Sequence, residues 1–399
     1  MVQLARRTSR IASSPTMKVT AAVDRLRREG VAVLDFGAGE PDFPTPAHVS
    51  AAAHRAIDTD RTKYTPVGGT VDLKRAIISR YRADYGVDYR ETEVIACAGG
   101  KQALYNAALT LFDAGDEVIT HAPGWPTLVE QIKLADATPV VVRATPDNGF
   151  ALTADLFLAA VTPRTRGIVL NSPCNPTGAL MSESDLTVLA QEASRRGIWL
   201  VIDLCYEKLI YDASAAHNLP AVIARHCRDL GIICGSASKA YAMTGWRCGW
   251  ALGPAAAIAA QHALQSHATS NVSSITQEAT VEALTGPQDA VTAMLAEYRR
   301  RRDALHGWLT ADPRIRIVRP AGAFYLLPDV SGVLADAGFA TTTDFAEALL
   351  TEARVAVTPG EAFDAPGFIR LSYATSMDVL REGSARLLAF VARRTSARV

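Results

Sequence analysis

A lysine that follows two small hydroxyl residues is the most reactive candidate in the sequence. Ser236 and Ser238 precede Lys239, and Arg247 comes eight positions after it. The apolar residues 231–235 predict a buried strand that ends in a tight turn just before the lysine. A partly buried amine loses charge stabilisation and becomes a nucleophile that can form a Schiff base. A surface lysine in a polar loop is the alternative, and this stretch alone does not decide between the two.

A carboxylate ends a strongly apolar segment. Residues 197–202 have no polar face, which predicts a central strand of a parallel sheet, and Asp203 follows at its end. Burying a carboxylate is costly unless a cation meets it, so this position predicts a cationic partner. Tyr206 lies three residues further on and would stand beside the carboxylate.

Other polar or aromatic candidates also follow predicted strands. Gly99 and Gly100 precede a predicted helix, where free backbone N–H groups and the helix dipole could bind an anion. Trp125 lies in a proline-rich loop, and its indole could either stack on a flat ring or pack in the core. Asn175 is held before a proline and offers a donor and an acceptor in a set direction.

The elements that must position these residues alternate between strands and helices from residue 94 to residue 252. This alternation predicts an α/β fold with a mostly parallel sheet. We expect every candidate from residue 99 to residue 247 to come just after a strand. In such sheets ligands bind in the crevice beyond the carboxyl ends of the strands, so the candidates should lie together.

Two loops nearer the amino terminus could add to the site. The turn at residues 37–46 is rich in glycine and proline, and Gly39 would allow its backbone to approach a ligand closely. Tyr64 lies in a loop between two predicted helices, where it is either a binding side chain or a half-buried structural tyrosine.

The rest of the chain predicts a smaller α+β unit. A long helix is expected from about residue 276 to beyond residue 302, with strands and helices after it. The expected strands are 314–319, 323–327, 355–358 and 368–373, and the expected helices are 345–353 and 380–393. We expect an N-terminal arm and part of the small domain at 1–45, a large domain at 46–285, and the small C-terminal domain at 286–399.

Composition and charge narrow the class of protein. Basic and acidic residues number 41 each, so a net charge of zero does not indicate a nucleic-acid or anionic membrane partner. No apolar run approaches the length that spans a bilayer, and the arginines near the amino terminus precede no secretory apolar core. The six cysteines lack metal-ligand spacing and lie mostly in apolar contexts. They predict buried free thiols, no metal site and a cytoplasmic location.

The candidates together suit one ligand, an aromatic cation that carries an aldehyde and a phosphate. Pyridoxal 5′-phosphate is such a molecule. Its aldehyde needs the lysine, and its ring nitrogen needs an acidic partner so that the ring can take up electrons. Its phosphate needs a helix N-terminus and an arginine.

The sequence resembles the class I, fold-type I aminotransferases, and among them the bacterial aspartate and aspartate/prephenate aminotransferases. The resemblance lies in motifs that occur in family order: GAGEPDF from Gly37, KYTP from Lys63, GGKQAL from Gly99, NSPCNPTG from Asn171, SASKAYAMTGWR from Ser236 and RLSYATS from Arg370. It implies a large domain with a mostly parallel, seven-stranded sheet between helices, a smaller α+β domain, and pyridoxal phosphate as cofactor.

Carried over by position, the resemblance implies roles for the residues around the cofactor ring. Lys239 would hold the cofactor as a Schiff base and later move the proton. Asp203 would pair with the pyridinium nitrogen, and Tyr206 would hydrogen-bond the ring hydroxyl. Trp125 would stack on the ring with Asn175 near its hydroxyl edge, and both would also contact the substrate.

The resemblance also implies how the phosphate and the substrate are bound. The phosphate would lie against Gly99, Gly100, Lys101, Ser236, Ser238 and Arg247. Tyr64 would reach the phosphate of the neighbouring subunit, which makes a homodimer the functional unit. Arg370 would hold the substrate α-carboxylate as a bidentate fork, helped by the Gly39 backbone, and Lys101 would recognise a distal carboxylate.

The implied activity is a ping-pong transfer of an amino group from aspartate or glutamate to a 2-oxo acid such as 2-oxoglutarate. An aromatic, prephenate-like or secondary-metabolite substrate is an alternative, as is a lyase or replacement reaction on the same scaffold. A regulator that only binds the cofactor would carry a DNA-binding domain, and too few residues precede the first predicted strand for one. Gly124, Cys174 and Cys205 depart from the family pattern, and we expect them to border the substrate pocket, with Gly124 opening space there.

Overall fold

The computed structural model describes residues 4–12, 15–211 and 217–396. The helices in these ranges are α1 (Pro15–Arg28), α2 (Ala47–Asp58), α3 (Val71–Tyr85), α4 (Gly100–Leu111), α5 (Pro126–Leu134), α6 (Ala154–Leu158), α7 (Glu183–Arg196), α8 (Leu219–His226), α9 (Ala237–Ala240), α10 (Ala255–Ala268), α11 (Ser274–Thr285), α12 (Asp289–Leu309), α13 (Ser331–Ala337), α14 (Thr342–Ala353) and α15 (Met377–Ser396). The strands are β1 (Leu34–Asp35), β2 (Val94–Cys97), β3 (Glu117–Ala122), β4 (Thr138–Arg143), β5 (Thr165–Asn171), β6 (Trp199–Asp203), β7 (Gly231–Ser236), β8 (Gly249–Leu252), β9 (Tyr325–Leu326), β10 (Val355–Ala356), β11 (Thr358–Pro359) and β12 (Ile369–Ser372).

A seven-stranded sheet with the order β2-β8-β7-β6-β5-β3-β4 forms the larger part of the fold. The strands pair in parallel except at β8, which runs antiparallel to both of its neighbours. The central strand β6 is buried on both faces: Leu200 and Ile202 belong to one apolar cluster and Val201 to another. A strand covered on both faces is expected to be apolar throughout, which explains its sequence. The predicted mostly parallel, seven-stranded sheet is confirmed.

The smaller part of the fold joins the two ends of the described chain. Strands β11, β12 and β9 form a three-stranded antiparallel sheet, and β1 pairs in parallel with β10. Phe36, Leu371 and Phe390 share a separate apolar cluster here. The N-terminal strand therefore packs with C-terminal elements, whereas the domain boundaries at 45/46 and 285/286 stay predictions.

The predicted long helix from 276 to beyond 302 is wrong. The structure has two helices there, because α11 ends at Thr285 and α12 begins at Asp289. Pro287 lies between them, lacks an N–H and disfavours helical geometry in Gly286, so one helix cannot run through. The predicted strand at 314–319 is also wrong, since its only ladder contact among the described residues is an isolated bridge from Arg316 to Asp329.

Helices α10 and α13 were not predicted. The residues of α10 are rich in alanine, which has the highest helix propensity, and its stripe of apolar side chains is weak. The alanine content of these residues indicates a helix, whereas the weak periodicity of their apolar side chains does not. Its packing against α4 supports the glycine turn that opens the candidate site.

Candidate active site

A cleft of about 760 Å³ lies at the carboxyl edge of the parallel strands. Most of the candidates chosen from the sequence line it: Gly39, Gly100, Lys101, Trp125, Asn175, Asp203, Tyr206, Ser236, Ser238, Lys239, Arg247 and Arg370. Gly99 and Tyr64 do not line the cleft. The structure thus brings together side chains from loops that are up to a few hundred residues apart in sequence.

The sheet topology explains this convergence, with one correction. Asp203 ends β6, Ser236 ends β7, and the loop with Asn175 follows β5. The expectation that every candidate follows a strand is wrong for Arg247, which precedes β8. Since β8 runs antiparallel to β2 and β7, its amino end lies at the same edge as the carboxyl ends of the other strands. Arg247 therefore lines the cleft although it comes before its strand and not after it.

Lys239 is held in the cleft by a short helix, α9, that follows β7 directly. Its Nζ donates a hydrogen bond to the backbone carbonyl of Gly39, on the turn after β1. Burial lowers the pKa of Lys239, while the neighbouring Cys205 and Glu40 act in the opposite direction. A lowered pKa increases the fraction of neutral amine, which is the nucleophilic and proton-accepting form.

Asp203 is a buried carboxylate, and the described residues provide no ion-pair partner for it. One of its oxygens accepts the Cys205 backbone N–H at 2.9 Å. Burial raises the pKa of Asp203 to about 7, although this hydrogen bond and the charge of Lys239 lower it. Such a site favours a bound cation, because a positive group beside the carboxylate would recover the cost of burying its charge.

The amino end of α4 forms one wall of the cleft. Gly99 is its N-cap with a φ of 87°, in the left-handed region, and a Cβ there would lie 2.5 Å from a terminal nitrogen of Arg247. Only glycine therefore allows the arginine to pack against this turn. Arg247 donates to the carbonyl groups of Thr244 at 2.9 Å and Ala98 at 3.3 Å. A guanidinium beside a helix N-terminus makes this wall an anion site.

The two serines lie at the same wall. The Ser236 hydroxyl donates to the Ser238 hydroxyl at 2.7 Å and accepts the Ser238 N–H at 3.0 Å. Both side chains are buried, and a Cβ at Gly100 would lie 3.3 Å from the Ser236 Cβ. The serines thus stand directly behind the first turn of α4, where their hydroxyls can turn towards an anion.

Arg370 lies at the other end of the cleft on β12, the middle strand of the antiparallel sheet. It is buried, and it donates to Asn175 Oδ1 at 3.1 Å and to the Gly37 carbonyl at 2.9 Å. Its guanidinium lies 4.3 Å from the centre of the Tyr325 ring. Its buried Nε has no hydrogen-bond partner among the described residues. A buried guanidinium that lines a cleft and donates only to neutral acceptors indicates a site for an anionic ligand group.

Trp125 caps α5 and forms a side of the cleft next to α4. Lys101 Nζ lies 4.9 Å from the centre of its ring. Burial lowers the pKa of Lys101, and the nearby Arg247 lowers it further. A second cavity of about 790 Å³ lies beyond Trp125, and it shares Lys101, Trp125 and Arg247 with the cleft.

The structure adds residues that were not chosen from the sequence. The hydroxyls of Tyr206 and Tyr325 lie 2.9 Å apart, and burial raises the pKa of Tyr206 well above its usual value. A tyrosine in the apolar stretch 323–327 was a usable signal, because a buried hydroxyl needs a partner. Glu40 accepts a hydrogen bond from the Thr244 hydroxyl at 2.7 Å across the cleft, and Asp24 of α1 also lines it.

Tyr64 lies outside the cleft and is 93% exposed. The departures from the family pattern are also placed differently from expectation. Cys205 lines the cleft as predicted, but Cys174 is buried with its Sγ 3.7 Å from the Pro123 carbonyl, and Gly124 lines only the second cavity. A Cβ at Gly124 would lie 2.2 Å from the His121 carbonyl oxygen, so the glycine fills a tight backbone contact. The expectation that it opens space in the substrate pocket is wrong.

All six cysteines are free thiols, and all except Cys205 are buried. Where the structure describes them, histidine, cysteine, aspartate and glutamate side chains form no group of three or more that could hold a metal ion. Within the same residues, no helix has the length and apolar character needed to cross a membrane.

The residues present fit pyridoxal 5′-phosphate. The amine of Lys239 matches its aldehyde, and the buried carboxylate of Asp203 matches its ring nitrogen. The helix N-terminus at Gly100, with Arg247 beside it, matches its phosphate. Arg370, with an unpaired Nε, remains for the carboxylate of a substrate.

Comparisons with known proteins agree with this fit. The model of the family "Aminotransferase class I and II" matches residues 31–387. An aspartate aminotransferase from a Bacillus species is 41% identical over 388 residues, which cover 97% of this chain and 99% of the relative. An aspartate/prephenate aminotransferase from Cereibacter sphaeroides is 43% identical over 390 residues, which cover 96% and 97%.

A solved structure gives the same result for the fold. The aspartate aminotransferase from Thermus thermophilus with maleate superimposes with a TM-score of 0.91 at 40% identity, and the match covers 98% of this chain and all of that one. The chain therefore belongs to the class I and II aminotransferases and uses pyridoxal 5′-phosphate to move an amino group between an amino acid and a 2-oxo acid by a ping-pong mechanism.

Proposed function

We propose that the cleft at the carboxyl edge of the sheet is the active site of this aminotransferase. The observation that carries the proposal is the sharing of one cleft by Lys239, the buried Asp203, the anion site at Gly100 and the partly unpaired Arg370. Each of these groups is costly or reactive in isolation; the cofactor accounts for the first three, and the carboxylate of its substrate accounts for Arg370.

The proposed roles follow from the local chemistry. When bound, the cofactor supplies an aldehyde for amine exchange and a ring that takes up electrons. Asp203 would stabilise the positive charge on the ring nitrogen, and Tyr206 and Asn175 would hydrogen-bond the ring hydroxyl. Trp125 would stack on the ring and keep water from it. The phosphate would be bound by Gly100, Ser236, Ser238 and Arg247, with the N-cap Gly99 behind them.

Lys239 acts as the base once its amine is free. Its Nζ takes the proton from the substrate Cα, for which a lowered pKa suits it. The hydrogen bond between Nζ and the Gly39 carbonyl supports this role, because it points the amine into the cleft. Arg370 fixes the α-carboxylate of the substrate with two parallel hydrogen bonds, and the Gly39 backbone borders the same group.

We propose aspartate or glutamate as the amino donor and 2-oxoglutarate as the acceptor. The names of the relatives support this proposal, and so do the two cationic groups, Arg370 and Lys101, that line the cleft. They match the two carboxylates of such substrates, with Lys101 at the distal one. A prephenate-like substrate is the second candidate, because one relative is named an aspartate/prephenate aminotransferase.

A screen of amino donors against 2-oxoglutarate and oxaloacetate tests the substrate proposal. We expect aspartate and glutamate to have the highest kcat/KM, and Lys101→Met to lower that value by about tenfold or more for these donors. The value for alanine should stay nearly constant, because alanine has no distal carboxylate. Lys133→Met, on α5, is the matched control.

Equal losses for aspartate and alanine in Lys101→Met would contradict the proposed role of that lysine. A preference for an aromatic or prephenate-like substrate over both dicarboxylic amino acids would favour the second candidate. Release of ammonia or pyruvate from the donor without any 2-oxo acid acceptor would indicate a lyase instead.

We propose that the functional unit is a homodimer in which Tyr64 reaches the cofactor phosphate of the neighbouring subunit. The exposure of this large aromatic side chain, in a loop outside its own cleft, supports the proposal. Tyrosine hydroxyls are suitable donors to phosphate, and a dimer with two-fold symmetry would exchange the same loop in both directions.

Mixing of two inactive variants tests the shared site. Tyr64→Ala should weaken cofactor binding, and Lys239→Ala should abolish turnover. A dimer with one subunit of each variant contains one site in which both residues are intact. After random exchange of subunits about half of the dimers are of this kind, so an equimolar mixture should recover up to about a quarter of the wild-type sites. Variants exchanged only with themselves are the controls, and a mixture no more active than these controls would show that Tyr64 serves no neighbouring site.

We also propose a cytoplasmic location, which the six free thiols support because oxidising compartments favour disulfides. The division into an N-terminal arm at 1–45, a large domain at 46–285 and a small domain at 286–399 is likewise a proposal. The separate apolar clusters of the sheet and of the smaller unit support it.

A further inference from the structure

We propose that His121 is a positioning residue that joins the loop of Trp125 to the loop of Asn175 and so holds the two flanks of the cofactor ring in place. This inference rests on the proposed cofactor contacts of Trp125 and Asn175. His121 itself does not line the cleft. It lies at the end of β3, behind both loops, and only 2% of it is exposed.

The two ring nitrogens of His121 make one hydrogen bond to each loop. Nδ1 lies 3.1 Å from the backbone carbonyl of Pro123, two residues before Trp125. Nε2 accepts the backbone N–H of Asn171 at 3.3 Å. The carbonyl can only accept and the N–H can only donate, so the proton must be on Nδ1. A neutral imidazole in this one tautomer satisfies both partners.

Asn171 extends the connection to the other cofactor contacts. Its Nδ2 donates to the Asp203 carbonyl at 3.1 Å, and its Oδ1 accepts the Asn175 N–H at 2.8 Å. The chain of hydrogen bonds thus runs from Pro123 through His121 to the loops of three proposed ring contacts. Trp125, Asn175 and Asp203 are therefore positioned together, although they follow three different strands.

The Trp125 loop packs tightly against His121. Gly124 passes so close that an added Cβ would lie 2.2 Å from the His121 carbonyl oxygen and 3.3 Å from Nδ1. The Gly124 N–H also donates to the Phe363 carbonyl at 3.2 Å. The close contact between His121 and Gly124 consequently fixes the path of the backbone from the end of β3 to Trp125.

The environment keeps the imidazole neutral. Burial lowers the pKa of His121 to about 4, although its hydrogen bond to Pro123 raises it. A protonated ring would lose the acceptor that the Asn171 N–H needs and would leave a charge in an apolar site. The group therefore serves as a fixed connector and does not exchange protons during turnover.

Double-mutant analysis of cofactor affinity tests the inference. The full-length wild-type protein, His121→Phe, Trp125→Leu and the double variant are each dialysed to equilibrium against pyridoxal phosphate, so that the readout is binding and not activity. His121→Phe keeps a ring of similar size but loses both hydrogen bonds, and it should weaken affinity by about tenfold. In the Trp125→Leu background the same substitution should weaken affinity by clearly less, because one of the two flanks that His121 holds is gone.

The control is Ser384→Ala, which removes another buried hydrogen-bonding group, on α15, that donates to the Arg381 carbonyl at 3.0 Å. It should lower thermal stability but leave cofactor affinity within about twofold, since it touches neither loop. The cofactor affinity of a second variant, His121→Asn, is measured in the same two backgrounds. Its amide can still donate to Pro123 but is too short to reach Asn171. The result then does not depend on the folding of a single variant.

The inference is overturned if the substitution at 121 weakens cofactor affinity by the same factor in both backgrounds. It is also overturned if neither His121→Phe nor His121→Asn loses affinity. Both results leave the proposed active site intact. If Trp125→Leu alone leaves affinity unchanged, the proposed ring contact fails and the inference fails with it. A smaller factor in the Trp125→Leu background, with the affinity of Ser384→Ala unchanged, supports the connector.

Discussion

Lys239→Ala should reduce kcat for transamination by at least about 10⁴-fold, because it removes both the amine that reacts with the cofactor and the base for the Cα proton. The Nζ of Lys239 points to the Gly39 carbonyl and lies in the same cleft as Asp203 and Arg370. Among the described residues lining the cleft, Lys101 is the only other lysine, and it lies at the Trp125 wall. We expect no other side chain to take over the proton transfer.

The measurement is single-turnover conversion of aspartate, together with the absorbance of the cofactor that remains after dialysis. The variant should keep bound cofactor through its non-covalent contacts yet fail to turn over. Added small primary amines should restore part of the rate, since they can supply the missing base. Lys208→Ala is the control, because that amine pairs with Asp84 outside the cleft. If Lys239→Ala retains more than about one hundredth of the wild-type single-turnover rate, Lys239 is not the base for the Cα proton.

Asp203→Asn should lower kcat by about 10²- to 10³-fold while changing KM much less, because its charge is needed when electrons move into the ring. The substitution preserves shape but removes the negative charge beside the ring nitrogen. We expect the cofactor still to bind, with an absorbance spectrum of altered pH dependence. Asp185→Asn, at the start of α7, removes a half-buried carboxylate outside the cleft as the control. An active Asp203→Asn enzyme with an unchanged spectrum would refute the proposed pairing.

The same variant has an expected effect on the cofactor-free protein. Asp203 keeps its proton up to a pH of about 7 when folded, because burial raises its pKa, whereas the unfolded chain loses it near pH 4. Between these values the folded state binds more protons, so the contribution of Asp203 to stability falls as pH rises. The free energy of unfolding of wild type minus that of Asp203→Asn should therefore decrease from pH 4 to pH 7. Chemical denaturation across this range measures it, and a flat or rising difference is the contrary result.

Strand-end placement is what the sequence predicts well. Asp203, Ser236 and Asn175 could be located because buried parallel strands are apolar throughout and the residues after them share one edge. The same logic misplaced Arg247, since a sequence does not state the direction of a strand, and β8 is as apolar as its parallel neighbours. Arg247 still lies at the shared edge, because it precedes a strand that runs in the opposite direction.

Other features depend on contacts that no local pattern reports. Tyr325 belongs to a short apolar stretch, and its partner Tyr206 is over a hundred residues away. The tight contact between Gly124 and His121 depends on the exact backbone path, so the sequence alone suggests open space at this glycine. The break between α11 and α12, in contrast, was present in the sequence as Gly286 and Pro287, and periodicity on both sides obscured it.

The pairing of β1 with β10 has a consequence for the order in which the protein can fold during its synthesis. Leu34 leaves the ribosome early, but its partner Val355 is made near the end. At translation rates of about 5–20 residues per second, this delay is on the order of tens of seconds. The parallel sheet, whose strands lie between residues 94 and 252, can form first. The Gly39 carbonyl that accepts the hydrogen bond of Lys239 follows β1, so Lys239 would obtain this backbone contact only after the C-terminal elements are complete.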